Sequence, residues 1–172
     1  MREPFFPEID AVLHEGPDSE NPLAYRFYDA ERSVLGKSMC DQLRFSVCYW
    51  HSFCWPGDDV FGAGSFARPW FEGETPLELA EHKLSVAFEL FEKLEAPFFT
   101  FHDRDIAPEG ASLAETQSNL EHMIESAQAE MTRTGVKLLW GTANLFGHPR
   151  YAAGAATNPD PEVFAFAAAQ VK

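Results

Sequence analysis

The sequence predicts an α/β fold: βαβ units that build a parallel sheet. Runs rich in β-branched and aromatic residues recur in the first half of 43–55, at 98–101 and at 136–140. Helical patterns of crossover length separate them, over 75–95 and from 112 to 135. Each run is apolar along its length and turns polar or aromatic just past its end. In a parallel sheet those ends share one rim, the edge at which such folds bind ligands.

Residues 1–42 read as irregular, because Pro4, Pro7, Pro17 and Pro22 argue against long elements. One short helix is predicted inside them, over "NPLAYRFY", with Asn21 as cap and Pro22 in the first turn. The first strand follows in "LRFSVCYWHSFCW". Next comes "PGDDVFGAGSFARPW", a Gly- and Pro-rich loop that carries Phe61 and Phe66, so those rings are expected to pack on something. Thr75, Pro76 and Glu78 form a capping box for the first long helix. Leu77, Leu84, Phe88, Phe91 and Glu95 fall near one face of it, and Pro97 ends it. "FFTF" is the second strand, and "APEG" is a turn. Ser112 and Glu115 predict a second capping box. Leu113, Leu120, Met123, Ile124, Ala127 and Met131 then give an apolar stripe that runs to Gly135. "VKLLW" is the third strand, "GTANLFGHPR" a loop, and Asp160–Pro161 start a third helix.

Composition excludes several function classes. The chain has 172 residues, 45% of them hydrophobic, enough for one sizeable core. No apolar run reaches about 18 residues, so no membrane span is expected. "MREPFFPEID" lacks the pattern of a secretory signal. The formal net charge is −14, which gives no footprint for nucleic acid and repels anionic membranes. Cys40, Cys48 and Cys54 are odd in number and show no CxxC spacing, which fits reduced structural thiols and a cytoplasmic location. No GxGxxG, P-loop, HExxH or GxSxG pattern is present, so nucleotide, zinc-peptidase and serine-hydrolase readings have no support.

The strand ends supply the candidate chemistry. Trp50 and His51 follow the first strand, His102, Asp103 and Asp105 the second, and Trp140, Thr142, Asn144 and Phe146 the third. A carboxylate on one imidazole nitrogen fixes the tautomer and leaves the other nitrogen to move a proton. His102 and Asp105 have the spacing for this, but an Asp-capped loop with a backbone-bonded His fits it equally well. Asp103 is expected to bond the loop backbone. Trp50 and Trp140 read either as core or as flat apolar walls. His51 and His148 have no partner at metal-ligand spacing, and His82 and His122 lie on helices among Glu and Lys.

Three long stretches carry a resemblance: "CYWHSFCWPGDDVFGAGSFARPW", "FFTFHDRDIAPEG" and "LLWGTANLFGHPRYAAGAATNPDPEVFAFAAAQVK". In that order they resemble the xylose isomerase family, in its class with the longer N-terminal segment, over nearly the whole chain. The resemblance implies a (β/α)₈ TIM barrel that interconverts D-xylose and D-xylulose, and D-glucose and D-fructose, by ring opening and a metal-assisted hydride shift. It implies that His102 assists ring opening and that Asp105 holds it. It implies that Trp50, Trp140, Thr142 and Phe146 line the sugar pocket and that Phe61 enters the pocket of a neighbouring subunit. A homotetramer and two divalent cations (Mg²⁺, Mn²⁺ or Co²⁺) go with it.

A barrel of this kind needs roughly 250 residues. The family's metal ligands and catalytic lysine lie in later strands, so none of the residues here is expected to bind metal. The expectation is therefore an N-terminal portion: an irregular segment at 1–42, then the first three βα units at 43–172. Other readings are an inactive truncated subunit that joins full-length ones, another TIM-barrel sugar isomerase or epimerase, and a small doubly wound binding domain. The Trp50, Phe61 and Trp140 set argues against another TIM-barrel isomerase or epimerase. The unfinished last helix and the missing phosphate loop argue against a doubly wound domain.

Overall fold

The computed structural model describes residues 3–73 and 75–172; Met1, Arg2 and Glu74 lie outside them. Its centre is a parallel sheet of three strands, β1 (Ser46–Cys48), β2 (Phe98–His102) and β3 (Lys137–Thr142), in that spatial order. Helix α1 (Pro76–Lys93) joins β1 to β2, and α2 (Leu113–Thr134) joins β2 to β3. Helix α3 (Pro161–Val171) follows β3. This is the predicted α/β order.

Local chemistry sets the helix ends. Thr75 Oγ1 accepts from the Glu78 N–H at 3.2 Å, and the Glu78 carboxylate accepts from the Thr75 N–H at 2.9 Å, a complete capping box. The second box is only half formed. Ser112 accepts from the Glu115 N–H, but the Glu115 carboxylate turns one residue further out, to the Ala111 N–H at 2.7 Å. Gly135 ends α2 at φ +79°. Glu95 is not on the apolar face of α1. It lies past the helix end at φ +49°, where the Ala96 N–H closes back on the Phe91 carbonyl and turns the chain into β2.

The helix predicted over 21–28 is absent. Asn21 Oδ1 accepts from the Leu23 N–H at 3.0 Å, a side-chain turn rather than a helix cap. Tyr25 then bridges in parallel to His14, and its hydroxyl donates to the Leu94 carbonyl at 2.7 Å. Tertiary pairing has taken the groups that a helix would have used. Further back, the Phe5 and Phe6 N–H groups both donate to the Glu89 carboxylate, at 2.7 and 2.9 Å, and dock the segment on α1.

The core lies between the sheet and α1, with α2 beside it. Val86, Ala87, Phe88, Phe91, Phe99, Ile106 and Met123 are fully buried. Phe99 is central: its ring stacks on Phe91 at 5.4 Å and meets Phe88 edge-on at 5.3 Å. Ile124, assigned to the apolar stripe of α2, is 38% exposed and sits at its margin. Phe99→Ala should cost about 3–5 kcal/mol, because the cavity lies where two strands and a helix close on one ring. The urea midpoint measured against Phe99→Leu checks this; equal midpoints would overturn it.

One irregularity in β3 matters for the site. Phe99 pairs with Leu138, but Thr100 pairs with Trp140, so Leu139 is an extra residue in the strand. Strict alternation would put Leu138, Trp140 and Thr142 on one face. The bulge separates them. Leu138 opposes Phe99 on the helix side, whereas Trp140 and Thr142 oppose Thr100 and His102 on the other face. Gly141 then falls opposite Phe101, where a Cβ would come within 3.2 Å of the ring.

Candidate functional site

The site forms where the three strands end. After β1 the chain makes a single π-helical turn, Trp50–Cys54, closed by the Trp55 N–H on the Trp50 carbonyl at 2.8 Å. This turn brings the Trp50 ring over the end of β2, with ring centres 4.6 Å from His102 and 5.4 Å from Trp140. Trp140 lies 6.1 Å from His102, and the Phe146 ring meets His102 edge-on at 5.3 Å. Thr142 is in register with His102 on the neighbouring strand.

His102 and Asp105 form a tight pair. A one-turn helix, Asp103–Ile106, brings the Asp105 side chain back under His102. Its Oδ2 accepts from both the His102 backbone N–H and the ring Nδ1, each at 2.8 Å. An ionised carboxylate only accepts, so the proton sits on Nδ1 and Nε2 is the free nitrogen. The two side chains are 15% and 11% exposed. The arrangement can pass a proton at Nε2 between apolar rings, which is general acid–base chemistry on a bound hydroxyl.

The backbone of Asp105 is also held. Cys54 Sγ donates to the Asp105 carbonyl at 3.5 Å, and Lys83 Nζ donates to Cys54 Sγ at 3.3 Å. Burial pushes the Cys54 thiol up, against the pull of the Lys83 ammonium, so it stays protonated at neutral pH. Cys40, Cys48 and Cys54 are all free thiols.

Six candidates therefore meet: Trp50, His102, Asp105, Trp140, Thr142 and Phe146. Phe61 does not join them. It stands 94% exposed on its loop, while Phe66 packs edge-on to Trp55 at 5.5 Å. His148 Nδ1 accepts from the Arg150 N–H at 3.0 Å and caps a short turn. His122 bonds Glu81 across α1 and α2 at 2.6 Å, a pair the sequence did not signal. Among the described residues no group of three or more His, Cys, Asp or Glu could hold a metal ion. The described residues thus do not fit the divalent cations of the resemblance.

Sequence reasoning saw only part of the role of Asp103. It is buried and bonds the loop backbone as expected, at the Asn144 N–H, but it also takes a bond from Gln170 on α3. That partner lies 67 residues away, and no local pattern announces it.

No protein-family model matches the chain. Curated proteins named xylose isomerase do match it. The protein from Pseudomonas syringae pv. syringae (strain B728a) is 56% identical over 168 residues, 98% of this chain and 38% of that protein. Those from Burkholderia ambifaria (strain MC40-6) and Salmonella newport (strain SL254) are each 58% identical over 167 residues, 97% of this chain and 38% of theirs. The chain therefore spans under two-fifths of the length of these relatives and matches an N-terminal portion of them.

Proposed function

We propose that these residues are the amino-terminal part of a xylose isomerase, an aldose–ketose isomerase acting on D-xylose and related aldoses such as D-glucose. The observation that carries the reading is the 56% identity over 168 residues, a span that includes all three strand ends. In this reading residues 43–172 are the first three βα units of a TIM barrel, residues 1–42 are an irregular lead-in, and the whole enzyme is a homotetramer.

The chain's own residues take the sugar-side work. His102 Nε2 moves a proton at the anomeric hydroxyl or ring oxygen as the cyclic sugar opens. Asp105 fixes the ring orientation and tautomer of His102. Trp50, Trp140 and Phe146 wall the pocket and keep water from the open chain, and Thr142 supplies a polar contact. A hydride shift between C1 and C2 would need the positive charge of the family's two divalent cations, which no group among the described residues would hold. Their ligands belong to later strands, so the isolated chain is inactive in this reading.

The test joins residues 1–172 in frame to the remainder of the Pseudomonas syringae relative. The joined subunit should convert xylose to xylulose with Mg²⁺ or Mn²⁺, and the chain alone should not do so with any divalent metal. A folded, metal-loaded joined subunit without activity would sink the isomerase reading. Activity from the chain alone would sink the division of labour.

A second reading has one observation in its favour. Phe61, 94% exposed on a Gly-rich loop, is available to a neighbouring subunit. The chain would then be an inactive partner that joins full-length subunits through that loop. Mixed oligomers with the intact relative, lost on Phe61→Ser, would support it.

A further inference from the structure

We propose that Asp103 is a positioning residue for His102: its buried carboxylate holds the chain after β3 where Phe146 shields the His102 ring. The bonds form one continuous path. Asp103 Oδ1 accepts from the Arg104 N–H at 2.8 Å and from the Asn144 N–H at 2.7 Å. Its Oδ2 accepts from Gln170 Nε2 at 2.7 Å. Gln170 also donates to the Asn144 carbonyl at 3.1 Å, and its Oε1 accepts from the Tyr151 hydroxyl at 2.6 Å. Asn144 is thus gripped at both its N–H and its carbonyl. Its side-chain oxygen then accepts from the Gly147 N–H at 2.7 Å and from the Phe146 N–H at 3.3 Å. The path runs from the residue after His102 to the backbone of the residue whose ring touches His102.

Two features separate this from an ordinary surface staple. Phe146 is 68% exposed, so burial does not hold its ring at the His102 edge; the loop backbone does. Asp103 is only 6% exposed, and its nearest guanidinium, Arg104, is 3.8 Å away, outside hydrogen-bond distance. Its charge is satisfied chiefly by N–H donors that converge on both oxygens. An amide in its place would aim its NH₂ at one of them, so Asn is not a conservative replacement here.

The test uses the joined subunit and the rate at which diethyl pyrocarbonate acylates His102, followed by peptide mass spectrometry. That rate needs neither sugar nor cation, so it reports on the positioning even if the isomerase reading, on which the functional meaning rests, fails. Asp103→Ala and Asp103→Asn should each raise the His102 rate several-fold. Phe146→Leu should raise it as much, and Asp103→Ala with Phe146→Leu together no further than either alone. Phe88→Leu, a core change against Phe99, should lower stability and leave the His102 rate unchanged. A wild-type rate in the Asp103 variants, a rise of the same size in Phe88→Leu, or multiplying effects of the Asp103 and Phe146 changes would each overturn the proposal. In active protein, KM for xylose should rise alongside the His102 rate, and an unchanged KM would remove the pocket wall from the role.

Discussion

Asp105→Asn in the joined subunit should slow turnover of a cyclic aldose by about 10²–10⁴-fold and spare a three-carbon aldose that cannot close into a ring. The geometry behind this is one carboxylate oxygen accepting from both the His102 N–H and ring Nδ1. Asn carries no charge, and its amide can present NH₂ as well as oxygen to Nδ1. The His102 ring then loses the partner that fixes its tautomer, and Nε2 is no longer reliably the free nitrogen. His102→Gln removes the proton carrier itself and should cost about as much. The double variant should cost little more than either, because the pair acts as a unit. Steady-state rates on the two substrates decide it. A loss of equal size on both would move the pair from ring opening to a later step or to folding. No loss on either would end the acid–base role.

How legible this site was depends on how local its determinants are. Helix caps are local, so Thr75 with Glu78, Ser112, Gly135 and Asp160 could be read from a few residues each. The His102–Asp105 spacing was local too, but its meaning was not. The same spacing serves a loop cap, and only the one-turn helix over Asp103–Ile106 brings a single oxygen to both nitrogens. Asn21 and Pro22 were true local signals, overridden by the pairing of Tyr25 with the His14 segment. The bulge at Leu139 was invisible because it is a property of two strands in register, not of one. It nonetheless decides that Trp140 shares a face with His102 while Leu138, two residues earlier, is in register with Phe99. Glu95 occupies a left-handed position where the usual signal, a glycine, is missing. Trp50 needed the π-helical turn to reach over β2, and a strand-like run of aromatics gave no hint of where the strand would stop.

The isolated chain should not persist as a monomer. All six residues of β3 are exposed, including Leu138, Leu139 and Trp140 at 37–41%. β3 pairs with β2 on one side, and its other side is an edge of the sheet. β1, at the opposite edge, is short. An exposed edge strand rich in leucine and tryptophan is a template for pairing with another chain, and a net charge of −14 opposes that only at long range. Phe61, Val60 and Phe27 add exposed apolar surface at 94%, 91% and 79%. Self-association that grows with concentration and with salt is therefore expected, because salt screens the charge and leaves the apolar edge untouched. Sedimentation across a salt series measures it. Leu139→Lys puts a charge into the exposed strand, beside the edge, and should shift the population towards monomer without disturbing the pairing of Trp140 with Thr100. A soluble, cooperatively melting monomer of the unaltered chain at high salt would show that the exposed edge of β3 does not drive association.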